Sequence, residues 1–440
     1  MQTALKIPVF LSERTPNGML PQDLPGLHHP WLLHKRDAAL KRFLKNGLPT
    51  QRDEDWRYVA LHAIESQPLK RASNSAQPAK YQSLVDKVSG RAVFVNGILD
   101  ATLSELNHLP DGLSVSSLRN KLQQTQLAPA DFFYELMGHD TWHDLNLALF
   151  DDGAVIEVKP GARIEHPLEV ICLSTLQDDA TAYHANNFIH LGEGSSLKIY
   201  KSKASKADST TFSTHMNRIT LDKGATLERI VISQHAPTAI TFIHDDVILH
   251  EGAAFKKTAI NLGGKITRQK TTISLNGEQA FASLNGLSYT SRDGTTDVVV
   301  DMRHNAPHTQ SKQLIRSMAT DKSRAVFQGK VTVAQVAQKT NADQNHQGLL
   351  LSDGAEIDAK PSLEIYADDV KCSHGNTCGA LDETSLFYLR SRGIPRSEAE
   401  QLLQQAFIAE LFEACDESLK ETLMMRIGLA MNSVINLGGA

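Results

Sequence analysis

No run in these 440 residues reaches the ~18 consecutive apolar residues that a membrane-spanning helix needs. The opening MQTALKIPVFLSERTP has no basic segment followed by a long apolar one, so no secretory signal is read there. Cysteine is scarce: four residues (Cys172, Cys372, Cys378, Cys415), clustered toward one end, do not make a disulfide framework, and a reducing cytoplasm is the expected setting. Charge of one sign is scarce as well. With 45 Lys and Arg against 50 Asp and Glu, a net charge of -5 and only doublets such as Lys70-Arg71 and Lys256-Lys257, the chain lacks the basic stripe of a nucleic-acid binder. Aromatics, at 6%, are too few to build stacking platforms for a polysaccharide. There is no G-x-x-x-x-G-K-[ST], and Gly192-Glu193-Gly194 and Leu262-Gly263-Gly264-Lys265 are too short to replace it, so the chain is not expected to hydrolyse nucleotides itself. G-x-S-x-G and H-E-x-x-H are also missing.

The length exceeds the roughly 250–300 residues of one ordinary core, which predicts two or three domains unless the architecture is repetitive. HKRDAALKRFLKNG (34–47) places Ala38, Leu40, Phe43 and Leu44 near one helical face, with Gly47 as its stop. In the segment 48–58, Trp56 reads as a core anchor beside a helix start. SNSAQPA (73–79) reads as a connection, AVFVNGIL (92–99) as a strand and turn, and residues 130–137 as further helix.

From about Leu145 the texture changes to short β-branched runs, each introduced by glycine and a small or polar residue: Gly161, Gly194, Gly224, Gly252, Gly277 and later Gly354. From Gly194 to Gly277 the successive spacings are 30, 28 and 25. Such a period marks units that bury their faces only by stacking on one another. Runs such as Leu197-Lys198-Ile199-Tyr200 and Ile219-Thr220-Leu221 alternate as half-buried strands do. Helical pattern is nearly absent up to Asp369, which disfavours a βαβ sheet. A parallel β-helix fits best and a two-sheet sandwich is the alternative, with the glycines as corners. The last 60 or so residues return to helical spacing: Leu386, Phe387 and Leu389 before Gly393, then Ser397-x-x-Glu400 as a capping box for a helix showing Leu402, Leu403, Phe407 and Leu411, and a final helix through Met425–Met431. The expected division is a mainly helical region at 1–140, the β-helix at 145–380 and a helical region at 381–440.

Between these last two lies Ile365–Gly393, where Cys372, His374 and Cys378 form a Cys-x-His-x3-Cys cluster in a glycine-punctuated turn. Thiolate and imidazole suit zinc, iron or an iron–sulfur cluster, but the spacing is not that of a zinc module and the ligand set is incomplete. The competing reading makes Cys372 a buried small hydrophobe, His374 a hydrogen-bonded turn residue and Cys378 incidental. His184, His190, His215, His235, His244, His250, His304, His308 and His346 are expected mostly on solvated faces. Asp245-Asp246, Asp297 and Asp301 imitate the carboxylate face of a carbohydrate-acting β-helix enzyme.

Val370–Gly375, Gly379–Asp382 and Leu386–Ile394, together with Phe327–Lys330, Ala337-Gln338, Gln344-Asn345, Pro361–Ile365, Gly47–Thr50 and Glu54–Tyr58, resemble the SufB/SufD family of iron–sulfur cluster assembly proteins over essentially the whole chain. The resemblance implies a right-handed parallel β-helix between helical N-terminal and C-terminal domains. It implies a non-catalytic scaffold that pairs with a SufB-like scaffold and docks a SufC-like ABC ATPase, where the nucleotide loop would then reside. It implies a transient iron–sulfur cluster at the scaffold interface, touching His374 and Cys372, with no cofactor on the isolated chain, and an ATPase-docking surface at Phe387, Tyr388, Arg390, Arg392, Phe407 and Leu411. A homodimer of the isolated chain is left open. Cys378 stands where the family usually has a small or apolar residue, and the C-x-x-C-x3-C run common in SufB proteins is missing. The alternatives are a carbohydrate-acting β-helix enzyme and a stand-alone zinc protein built on Cys372, His374 and Cys378.

Overall fold

The structure, a computed structural model, describes residues 7–65, 68–73, 78, 80–123, 140–175, 179–205 and 210–435. The expected helix at 130–137 lies outside these residues, as does most of 73–79. The helices are α1 (Pro30–Asn46), α2 (His62–Glu65), α3 (Leu118–Lys121), α4 (Thr141–Leu149), α5 (Glu383–Ser391), α6 (Arg396–Ala409) and α7 (Glu417–Ile435). The strands begin with β1 (Lys70–Arg71), β2 (Gly90–Val95), β3 (Ile98–Leu99), β4 (Leu113–Ser117), β5 (Ala154–Val158), β6 (Leu168–Leu173) and β7 (Thr181–Leu191). They continue as β8 (Ser196–Ala204), β9 (Thr211–Leu221), β10 (Thr226–His235), β11 (Ile240–Leu249), β12 (Ala254–Gly263), β13 (Ile266–Leu275) and β14 (Phe281–Thr290). The last are β15 (Thr295–His304), β16 (Gln310–Ala319), β17 (Arg324–Val333), β18 (Asn341–Leu350), β19 (Glu356–Ile365) and β20 (Lys371–Ala380).

Successive long strands fall alternately into two sheets. One runs β19-β17-β15-β13-β11-β9-β7-β5-β4 and the other β20-β18-β16-β14-β12-β10-β8-β6-β2-β3. Pairing is parallel from β5 and β6 onward, and β3 and β4 close the first rungs antiparallel. This is a parallel β-solenoid of about 8 turns flanked by helices. Corner glycines stack: the Gly224 N–H donates to Glu251 O and the Gly252 N–H to Glu278 O, both at 2.8 Å, with φ of 66° and 62°. One turn later the left-handed position passes to Gln279 (φ 62°), while Gly277 is needed for space, because a Cβ there would strike the Glu251 backbone.

Period-2 alternation aims one set of side chains into the bore and the other outward. Half of the bore is apolar, with Leu197, Leu227 and Phe255 in register beside Ile219, Val247, Ile273 and Val331. The other half is polar and buried: Lys203 donates to Ser213 Oγ (3.1 Å) and meets His215 Nε2 (2.8 Å), while Asp245 receives Lys257 (2.6 Å) and Arg229 (3.3 Å). Both outer faces are covered too. On the odd-numbered sheet Phe212, Phe242 and Ile266 pack under Phe10, Phe43, Trp56 and Trp142, with Trp142 4.4 Å from Phe242 between centroids. On the even-numbered sheet Tyr200, Ile230, Ile260, Leu287 and Met318 pack under Ile408, Leu411, Phe412, Leu419, Leu423 and Ile427.

Three expectations change. His184, His215, His235, His244, His304 and His346 are buried, because a polar bore and two covered outer faces leave few solvated positions; only His190, His250 and His308 of the nine are exposed. The Ser397 capping box is not formed: α6 starts at Arg396 with Pro395 before it, and Glu400 instead pairs with Arg396 at 2.7 Å. The segment holding Cys372, His374 and Cys378 is not a turn but strand β20, since its backbone pairs with β18 along all ten residues and that ladder overrides a composition poor in strand formers.

Candidate functional site

β19 and β20 end their sheets, and among the described residues no strand covers the far side of either. The register pairs Cys372 with Ala342, His374 with Gln344, Asn376 with His346 and Cys378 with Gly348, so all four β20 side chains share the inward face of an uncovered rung. Cys372 is half-buried and packs on the apolar bore; this burial pushes its thiol above the ordinary value. Cys378 is exposed yet lined by Leu403 and Phe407 in an open groove, and its thiol is also raised by desolvation. Neither cysteine is poised as a free thiolate. His374 is exposed and makes no hydrogen bond among the described residues.

Along an extended strand, six residues span about 20 Å, so Cys372 and Cys378 do not converge on one ion, whereas Cys372 and His374 are neighbours on one face. Among the described residues no group of three or more His, Cys, Asp or Glu is placed to hold a metal. The stand-alone zinc reading thus loses its geometry. So does the carbohydrate reading, whose carboxylates are engaged: Asp245 with Lys257 inside the bore, Asp297 with Arg268 and Gln328 under the helical cover, Asp301 with Arg303 at 2.6 Å. Asp246 is buried.

Beneath the open rung the floor is tightly specified. Phe327 stacks on His346 (centroids 5.0 Å, planes 9°), whose Nδ1–H donates to Asn376 Oδ1 (2.7 Å) while Nε2 accepts from the Ser317 hydroxyl (3.0 Å). Gly329, facing Gln344 across the bore, leaves no room for a Cβ, which would collide with the Gln344 amide and the Phe327 ring. Gln328 donates to Asp297 Oδ1 (3.1 Å) and Asp55 O (3.3 Å), and Arg268 lies 4.0 Å from the Trp56 ring centre. The Glu54–Tyr58 segment is thereby clamped against the odd-numbered sheet near its last rung, helped by a Lys360–Glu54 ion pair. Gln344, Gly329 and Phe327 carried no chemical signal in the sequence; their role is spatial, and only the resemblance drew attention to them.

Asp382 caps α5 by accepting from Thr384 N and Ser385 N, so only two residues separate the end of β20 from the start of the helix. Phe387 and Tyr388 are 72% and 58% exposed, and Arg390 and Arg392 are exposed, with Arg392 5.3 Å from the Tyr388 ring centre. Phe407 is half-buried with the Arg316 guanidinium 5.7 Å from its ring centre, and Arg316 also holds Glu410 at 2.6 Å. Leu411, at 1% exposure, packs into the even-numbered sheet and has no surface left for a partner; its helical spacing matched that of an exposed face only in the sequence.

Fold and edge together define a helix-flanked parallel β-solenoid whose last rung is open and carries a thiol and an imidazole side by side on its inward face. Residues 174–407 match the family described as SUF system FeS cluster assembly, SufBD core domain, and residues 26–170 match the SufBD protein N-terminal region. The chain is 33% identical over 393 residues to the iron–sulfur cluster assembly protein SufD of Escherichia coli, covering 88% of this chain and 90% of that protein. It is 27% identical over 400 residues to an iron–sulfur cluster assembly SufBD family protein of Synechocystis, covering 88% of each. It is 25% identical over 386 residues to the chloroplastic protein ABCI7 of Arabidopsis thaliana, covering 86% and 81%. The chain belongs to the SufBD family of iron–sulfur cluster assembly proteins. No helix among the described residues is long and apolar enough to cross a membrane.

Proposed function

We propose that the chain is a non-catalytic scaffold subunit that assembles with a SufB-like chain and a SufC-like ABC ATPase, and that its open rung receives the nascent iron–sulfur cluster as cargo. The observation that carries this reading is the pair of uncovered ten-residue edges, β19 and β20, with Cys372 and His374 side by side on the inward face of one of them. A [2Fe–2S] or [4Fe–4S] cluster takes four protein ligands in all, so two side chains on one edge are half a site, and a partner edge supplies the rest. The raised Cys372 thiol fits a ligand that ionises when metal arrives rather than one that reacts alone.

The ATPase surface is Phe387, Tyr388 and Arg390 on α5 and Arg392 just past its end, with Phe407 contributing its exposed edge. Because β20 passes into α5 with only Leu381 and Asp382 between, motion of the docked ATPase reaches the rung without a slack linker. The test is a complex reconstituted with both partners, in which His374→Ala lowers iron–sulfur assembly while leaving subunit stoichiometry unchanged. Unchanged assembly removes His374 from the site.

A further inference from the structure

We infer that Gln344 is the positioning residue for His374, holding its imidazole in one tautomer so that a single, defined nitrogen is offered to metal; this rests on the reading of His374 given above. The Gln344 amide is buried and its place is fixed from two sides. Its Nε2 donates to Gln313 Oε1 at 3.0 Å, and Gly329 on the opposite sheet, by having no Cβ, leaves the space the amide fills. With the nitrogen given to Gln313, Oε1 is buried and has no partner among the described residues. A buried carbonyl oxygen without a donor is destabilising, so a native fold supplies one or reserves the place for one.

The donor in register is His374, directly beside Gln344 in the parallel ladder and on the same face, its side chain making no hydrogen bond among the described residues. Bonds of this kind between inward side chains of β18 and β20 do form: two residues further along, His346 and Asn376 meet at 2.7 Å. An imidazole N–H given to Gln344 Oε1 leaves the other ring nitrogen as the lone-pair donor, the arrangement by which neighbouring hydrogen bonds orient metal-bound histidines. His374 is exposed while the rung is open, and covering the rung drives the ring onto the waiting oxygen.

The experiment uses the complex with its SufB-like and SufC-like partners, carrying ¹⁵N-histidine in this chain only, and reads the tautomer of His374 at alkaline pH from its two ring ¹⁵N shifts, assigned by loss of signal in His374→Asn. The expected result is one tautomer populated at least tenfold over the other in the parent, mixing toward comparable populations in Gln344→Leu and returning to the parent pattern in Gln344→Glu, which keeps an oxygen at the same place. Iron retained after desalting should fall in Gln344→Leu and recover in Gln344→Glu. A His374 tautomer ratio unchanged in Gln344→Leu overturns the proposal, provided His346 keeps its parent shifts and so reports an intact floor. Should His346 shift as well, Gln344→Met replaces leucine and the same criterion applies. If the ratio responds to Gln344 but His374→Ala leaves cluster assembly intact, the positioning stands and the ligand role of His374 falls.

Discussion

Asp245→Asn is expected to be among the most damaging isosteric substitutions in this chain. Inside the bore, Asp245 Oδ2 lies 2.6 Å from Lys257 Nζ and 3.3 Å from Arg229 Nη1, and Oδ1 accepts from Asn217 at 2.6 Å. All of these side chains are buried. Asparagine keeps the shape and one acceptor, so the perturbation is close to a pure removal of charge. It strands two buried cations, for which a loss of about 3–5 kcal/mol is typical. Lysine has an exit that arginine lacks. Burial already lowers the Lys257 pKa against the opposing pull of Asp245, and without that carboxylate the amine sheds its proton. From an unfolded value of about 10.4, shedding it at pH 7 costs at most about 4–5 kcal/mol, and at pH 9 about 2 kcal/mol. The penalty of the variant should therefore shrink by up to about 3 kcal/mol between pH 7 and pH 9, and Asp245→Asn/Lys257→Met should recover a large part of it at pH 7. Urea unfolding followed by far-ultraviolet circular dichroism at both pH values is the assay. A loss below about 1 kcal/mol at pH 7, or one independent of pH, would refute the view that Asp245 neutralises the bore. The parent carries the matching acid signature. The folded Asp245 pKa is depressed, its desolvation outweighed by Lys257 and Arg229, so its contribution is full above the unfolded value of about 3.9 and is lost as pH falls through the lower folded value.

Trp142→Ala removes the ring that joins α4 to Phe242, Phe212 and Trp56, and should cost about 3–5 kcal/mol, read as an earlier urea midpoint for the N-terminal cover by tryptophan fluorescence. His304, buried beside Thr309 and Ser311, has its pKa lowered by burial to about 4. Its contribution is complete above the unfolded value of about 6.5 and is lost as pH falls toward 4, worth about 3 kcal/mol in all, so His304→Gln should flatten the dependence of melting temperature on pH between 7 and 4. Gly329→Ala should cost about 1–3 kcal/mol through collision with Gln344 and Phe327, and the double variant Gly329→Ala/Gln344→Ala should melt higher than Gly329→Ala alone. Phe387→Asp and Tyr388→Asp, on exposed positions, should change stability by no more than about 0.5 kcal/mol yet abolish co-purification with the ATPase; retention of the ATPase by both moves its docking surface elsewhere.

The solenoid was legible because each turn must bend, and a bend at fixed intervals leaves glycine at fixed intervals; Gly194, Gly224 and Gly252 are consecutive corners with positive φ. Helix α1 was legible for a similar reason, through its apolar face and the stop at Gly47 (φ 72°). What did not show was which polar residues are buried. Alternation reports that neighbouring side chains face opposite ways, not whether the outer side meets water, and here helices cover much of both outer faces. Lys203, His215 and Asp245 look in sequence like any solvated strand positions. β20 was hidden more deeply, since Gly375, Asn376 and Gly379 favour turns, and only the hydrogen-bond ladder with β18 makes them a strand. The same limit applied to Leu411, which follows α6 in a single 3₁₀ turn (Glu410–Phe412) and is covered by a sheet whose strands are remote along the chain.

The open rung has a bearing on how much of this chain a cell can tolerate. Two edges of ten residues each present rows of unmet N–H and C=O groups, and an edge accepts any extended segment that arrives. β19 is blunted in mid-strand by Pro361, which has no N–H to give, but β20, glycine-bearing and without proline, has no such guard. On the pairing proposed above, a surplus of this chain over the SufB-like chain should then be consumed by self-pairing or larger aggregates, visible by light scattering of the isolated protein and abolished by co-expression in equal amounts. Balanced production of the two chains becomes part of the design, set by an edge that only a neighbour can finish.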